Sequence, residues 1–211
     1  MIDAFFRALK KIPSGSDFDN LYRGNSKASI LRRHNLRVYL ERMEALQPRS
    51  LIVGEAPGYK GCKLSGVPFS CEALLFQEEP HAVFGKRHGY RCLSSDDLEK
   101  ERSAFMVWEE LNKYSEVPLI WNIFPFHPHQ AQNPYSNRGP RVGEMRMGQA
   151  FIRRLVRMYP IDRIAAVGRK AYFGLEDMKD ISIDYQYIRH HSYGGKADFV
   201  KGIKAFMEVS R

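Results

Sequence analysis

Three short stretches of the chain, residues 50–54 ("SLIVG"), 118–122 ("PLIWN") and 163–168 ("RIAAVG"), are apolar almost without interruption. Runs of that length suit strands covered on both faces, as in parallel sheets. A fourth stretch, 184–188 ("DYQYI"), alternates polar and apolar positions and fits an edge strand. Between these segments the period changes to that of a helix. "LRRHNLRVYLERMEAL" (31–46) sets Leu36, Leu40, Met43 and Leu46 on one stripe with its arginines elsewhere. "SSDDLEKERSAFMVWEELNKY" (94–114) opens on a serine N-cap followed by acids, as helix starts do. Further helical patterns cover 143–159, 168–178 and 196–209. Strand–helix alternation predicts an α/β fold, a three-layer α/β/α sandwich around a central four-stranded parallel sheet. No repeat, low-complexity tract or dividing linker interrupts the pattern, so residues 1–211 read as a single domain.

Parallel strands end on one side, and ligands bind beyond their carboxyl ends. The four segments that follow the strands are "GEAPGYKGCKLSGVPFS", "NIFPFHPHQAQNPYSNRGP", "GRKAYFGL" and "RHHSYGG". They concentrate glycine, proline, histidine, asparagine and aromatic residues, which marks that end of the sheet as the candidate site. Several chemistries are absent from these loops. A phosphate-binding Walker loop needs a second glycine five residues after the first, then Lys and Ser or Thr, whereas Tyr59 stands five after Gly54. The dinucleotide pattern G-x-G-x-x-G, the nucleophile elbow G-x-S-x-G and the zinc motif H-E-x-x-H do not occur. His127 and His129, two apart, are poorly spaced for a helical metal site. A carboxylate in the first turn, Glu55, would itself repel a phosphate.

Composition adds three points. The 211 residues are 44% hydrophobic and 27% charged, as in ordinary soluble proteins. Lys and Arg outnumber Asp and Glu by 33 to 24, a formal charge of +9 that favours a polyanionic partner, nucleic acid first. Neither a signal peptide nor a run of about 18 apolar residues is present, so a cytoplasmic location is expected. Cys62, Cys71 and Cys92 match neither a disulfide framework nor a metal motif and are expected as buried or free thiols.

In strand order the four loops resemble the motifs of the uracil-DNA glycosylase superfamily. "GEAPG" (54–58) is similar to the first motif of its iron–sulfur branch, and "GxxxSGVPF" (61–69) to the single-strand-selective branch. "NIFPFHP" and "NRGP" resemble the segment bearing the uracil-reading asparagine, and "RHHSYGG" stands at the second motif, usually His-Pro-Ser. The chain departs from the family in two ways. It lacks the four cluster cysteines, so no metal centre or other cofactor is expected, and His191 replaces the proline after the motif histidine.

The resemblance implies a role for each loop. Glu55 would orient the attacking water and stabilise positive charge on the sugar; a cap on a following helix is the alternative. His190 would donate to the base O2 as negative charge builds there, whereas His191 is expected to point away, because adjacent side chains diverge at a strand end. Asn122 would read the O4 and N3–H edge of uracil, with Gly54, Ala56 and Tyr59 near the base. Phe69 would stack on the flipped base, unless it is plain core. Ser192, Tyr193, Gly194 and Gly195 form a loop tip able to approach the DNA backbone, with Tyr193 as a wedge. Arg138, Arg169, Lys170 and Arg189 are candidate phosphate contacts. The implied activity is a monofunctional, monomeric DNA glycosylase of base excision repair acting on DNA that contains uracil. A relative specific for hypoxanthine, xanthine or another altered base, or a catalytically silent DNA-binding protein, are the alternatives.

Overall fold

The computed structural model describes residues 1–77, 82–93 and 98–208. In chain order the elements are α1 (Ile2–Lys11), β1 (Phe18–Asp19), α2 (Lys27–Leu46), β2 (Ser50–Gly54), α3 (Cys62–Ser65), α4 (Glu72–Leu75) and α5 (Arg102–Leu111). They continue as β3 (Leu119–Asn122), β4 (His127–Pro128), α6 (Val142–Met158), β5 (Arg163–Val167), α7 (Arg169–Glu176), β6 (Tyr185–Ile188) and α8 (Lys196–Met207). The main sheet is parallel throughout, in the order β3-β2-β5-β6. α6 packs on α7 and α5 on α8, on opposite faces as right-handed crossovers require. This is the expected α/β/α sandwich, with the fourth strand at an edge.

The continuous apolar runs are buried because helices cover both faces of the sheet. Leu51, Ile52, Val53, Leu119, Ile120 and Trp121 have no exposed surface. Trp121 meets Phe5 of α1 edge-on with ring centroids 5.2 Å apart, and Phe5 meets Phe151 of α6 at 5.8 Å. The outer edge of β3 is closed by one side chain from α2. The Tyr39 hydroxyl accepts from the Ile120 N–H at 2.7 Å and donates to the Ile120 carbonyl at 3.2 Å. A buried edge strand thereby keeps its backbone polar groups paired.

Several sequence expectations are corrected. The stripe of α2 buries Leu36, Leu40 and Met43, but Leu46, on the last turn, is 40% exposed. The helix expected from residue 94 begins at Arg102; its proposed serine cap lies outside the described residues. Residues 98–101 are not helical, because neighbouring chain takes their hydrogen bonds. The Ala73 N–H donates to the Glu99 carbonyl at 3.2 Å, and the Glu99 N–H reaches Glu72 at 3.5 Å. No strand pattern announced the two-residue ribbon in which β1 pairs antiparallel with β4. Among the described residues, no helix is long and apolar enough to cross a membrane.

Candidate active site

In the sheet, β2 connects outward to β3 on one side while its other neighbour, β5, connects outward to β6. Loops that leave adjacent strands in opposite directions open a crevice between them. Glu55 leaves β2 into this crevice, and its backbone is held from the other side by β3. The Ile123 N–H donates to the Gly54 carbonyl at 2.8 Å and the Phe124 N–H to the Glu55 carbonyl at 3.1 Å.

The Glu55 carboxylate does cap a helix, but α7 rather than the helix that follows it in sequence. Oε1 accepts from the Lys170 backbone N–H at 3.2 Å, in the first turn of α7. Burial pushes its pKa up, while the Lys170 amide and ammonium pull it down. The contact needs Gly168: its φ is +94°, and a Cβ there would lie 2.4 Å from Glu55 Oε1.

Phe69 and Asn122 meet over Gly54. A Cβ on Gly54 would lie 2.2 Å from the Phe69 ring and 2.8 Å from Asn122 Oδ1, so only glycine fits beneath them. Phe69 itself has φ of +49°, a conformation that costs a side-chain-bearing residue of order 1–3 kcal/mol. Trp108 of α5 holds it there, its indole N–H donating to the Phe69 carbonyl at 2.9 Å. Asn122 is 3% exposed, yet among the described residues its side-chain amide has no hydrogen-bond partner.

His190 and His191 follow β6. The two rings do not diverge but stack, with centroids 4.2 Å apart and planes 28° from parallel. The expectation for His191 fails because the strand ladder ends at Ile188 and the chain turns over 192–195, so strand alternation does not govern the two rings. The Ser192 N–H donates to His190 Nδ1 at 3.2 Å, which leaves the ring proton on Nε2. Burial lowers the His190 pKa and keeps the ring neutral. His191 is pushed further, to about 4, by burial and by His190 beside it. Both of its ring nitrogens are buried without a hydrogen-bond partner.

Glu55, Ala56, Phe69, Asn122, Arg138, His190, Ser192 and Tyr193 line one open cleft of about 390 Å³. A second cleft of about 440 Å³ shares Glu55, His190, Ser192 and Tyr193 and adds Arg169, Lys170, Tyr187 and Arg189. Tyr193 is fully exposed with φ of +53°. Gly194, φ +76°, completes the turn, and Gly195 is obligatory because a Cβ there would sit 2.1 Å from the His190 carbonyl.

Two expected site residues stand off the cleft wall, and a third is engaged by the scaffold. Gly54 lies beneath Phe69 rather than on the cleft wall. Tyr59 is not on the wall either. Its N–H donates to Asn137 Oδ1 at 3.0 Å, and its ring faces the Lys60 ammonium at 5.9 Å. Arg138 reaches the cleft, but its guanidinium is committed to the scaffold. It bonds both Glu144 oxygens at 2.7 and 2.6 Å and the Asp17 carbonyl at 2.9 Å. That network ties the 137–140 turn to α6, and it occupies a cation that sequence alone assigned to phosphate.

His127 and the cysteines are accounted for within the fold. His127 Nδ1 lies 2.8 Å from the Pro57 carbonyl and Nε2 3.2 Å from that of Pro134, pinning two cleft loops together. Cys62 and Cys71 are buried free thiols and Cys92 is partly exposed. Among the described residues no group of three or more His, Cys, Asp or Glu side chains could hold a metal. Glu101 and Ser103 also line the cleft, and neither belongs to a motif by which the sequence would single it out; Asn137, the first residue of "NRGP", lines it as well.

A half-buried carboxylate, a neutral imidazole, an unpartnered amide and a ring in one crevice, beside a cationic groove, can hold a planar heterocycle joined to an anionic chain. Residues 41–200 match the uracil DNA glycosylase superfamily, and the chain belongs to that superfamily. The crystal structure of wild-type SMUG2 from Pedobacter heparinus has a similar fold. The TM-score is 0.65 over 97% of this chain and 96% of that one, at 17% sequence identity. Comparison with curated protein sequences finds no match.

Proposed function

We propose that the protein is a monofunctional DNA glycosylase that extrudes uracil from DNA into the 390 Å³ cleft and hydrolyses its N-glycosidic bond. The observation that carries this reading is the meeting of Glu55, Phe69, Asn122 and His190, from three separate loops and a strand end, in one cleft. In the reaction the C1′–N1 bond breaks, the electron pair leaves with the base, and water adds to C1′. Glu55 takes the proton of that water and offsets the positive charge on the sugar. Its position on the Lys170 N–H holds one oxygen and leaves the other for water. His190, neutral with the proton on Nε2, donates to the base O2, where the departing charge collects; such donors contribute roughly 3 kcal/mol to barrier lowering. Asn122 offers a carbonyl to N3–H and an amine to O4, a pairing that cytosine cannot make. Phe69 stacks on the extruded ring, and Tyr193 fills the gap it leaves in the duplex.

The test is base release from single- and double-stranded oligonucleotides carrying one uracil, hypoxanthine or xanthine, scored as alkali-labile abasic sites. Uracil release is expected. Release of a purine alone would move the activity to deaminated purines. DNA binding with no release of any base would make the protein a silent relative.

A further inference from the structure

Glu101 precedes α5 in extended conformation, with φ −109° and ψ 111°. It occupies the N-cap position, yet its side chain makes no capping hydrogen bond. The carboxyl group lies instead across the turn that follows β2. A Cβ on Gly58 would be 2.7 Å from Glu101 Oε1, and one on Gly61 2.1 Å from Oε2. Two of the glycines in "GEAPGYKG" therefore make room for a carboxyl group rather than a phosphate. Among the described residues that group has no hydrogen-bond or ion-pair partner, and it lines the same cleft as Glu55, Phe69 and Asn122. Helix α5 thus serves the cleft twice, with Glu101 at its start and Trp108 behind Phe69.

We propose that Glu101 is a base-reading residue: seated on Gly58 and Gly61, its carboxyl group donates a hydrogen bond to a ring carbonyl of the extruded base. The inference rests on the glycosylase reading above. A carboxyl group can donate only when protonated, and burial raises the Glu101 pKa to about 7. The titratable groups around it do not reverse this. Cys62, whose thiol burial pushes to about 12, and Cys71, also raised by burial, are neutral. Within the cleft are Glu55, a like charge, neutral His190 and His191, and Arg138, already engaged by Glu144 and Asp17. The carboxyl group is half-buried and faces the cleft without a protein partner among the described residues, so a ligand that accepts its hydrogen bond would satisfy it.

The decisive measurement is single-turnover uracil release at saturating enzyme, from mildly acidic to mildly alkaline pH, for wild type, Glu101→Gln and Glu101→Ala. Wild-type release should fall as pH rises through about 7 and Glu101 ionises. Glu101→Gln, a neutral donor of the same shape, should keep the acid-side rate and lose the alkaline decline. Glu101→Ala should be slower than wild type on the acid side, by roughly tenfold, and the gap should close at alkaline pH. Its deficit should shrink on whichever of 2-thiouracil or 4-thiouracil DNA carries sulfur at the contacted position, because sulfur accepts weakly. A Glu101→Gln profile that declines as the wild type does would overturn the proposal. So would equal deficits on uracil and both thiouracils, or an acid-side Glu101→Ala rate within about twofold of wild type. In any of these cases the glycosylase reading stands, whereas a wild type that releases no base would remove both. If Glu101→Ala does not fold, the Glu101→Gln profile alone decides.

Discussion

In the proposed reaction Glu55 acts on the sugar side of the bond and His190 on the base side, and the surroundings of each fit that part. Burial raises the pKa of Glu55, which makes its carboxylate a better proton acceptor than one in water, while the Lys170 N–H keeps it anchored. Burial lowers the pKa of His190, so it donates a hydrogen bond without carrying a charge. The two should fail differently. Glu55→Gln preserves the bond from Lys170 and removes the base, so uracil release should slow by roughly 10²- to 10⁴-fold while DNA binding persists. His190→Ala removes help for the departing base, and its deficit should shrink on 5-fluorouracil DNA, whose base leaves more easily. Glu55→Gln should show that rescue weakly. Single-turnover rates for both variants on both substrates are the check, and equal rescue would dissolve the division of labour.

At the scale of elements, close approach is made by glycine. Gly148 of α6 lies directly on the chain leaving β3: a Cβ there would be 1.6 Å from the Ile123 carbonyl oxygen. The same helix carries Gly143, where a Cβ would meet nothing within 4 Å. Alanine is favoured over glycine in helices by about 1 kcal/mol. Gly143→Ala should therefore stabilise the protein slightly, by about 0.5–1 kcal/mol. Gly148→Ala should destabilise it by more than about 2 kcal/mol through backbone displacement. Denaturant unfolding of the pair measures both. Elements of this kind differ in how visible they are in sequence. β2 and β3 were legible because burial on both faces leaves an uninterrupted apolar run, and α6 because one buried face imposes a helical period. The start of α5 was not. Residues 98–101 have helical composition, but hydrogen bonds to residues 72 and 73 hold them out of the helix. The ribbon of β1 and β4 is too short to have a period.

For the whole molecule, the charge of +9 matters through its distribution. Arg169 and Lys170 are exposed at the second cleft, and Arg189 there makes a surface ion pair with Asp198 at 3.3 Å, of a kind worth little in water, and an exposed hydrogen bond to the Tyr193 carbonyl at 3.3 Å. Arg138 is instead bound to Glu144 and Asp17. If DNA follows the second cleft, Arg169→Ala, Lys170→Ala and Arg189→Ala should each make the slope of log K against log salt shallower by about 0.9 on duplex DNA. Arg138→Ala should leave the slope unchanged and lower the melting temperature. Salt titrations with the four variants separate the two groups. The sequence by itself determined the sheet and the end of it where the candidate loops gather, because burial on both faces leaves apolar runs; within those loops it was the resemblance to the superfamily's motifs that singled out Glu55, Asn122 and His190. Only the tertiary structure decided that Arg138 is spent on the scaffold, that Glu55 rests on α7, that His191 stacks on His190, and that Glu101 enters the cleft. The His190–His191 stack is set by the local turn; the others depend on which groups from distant segments pair in space, and pairing across tens of residues leaves no periodicity along the chain.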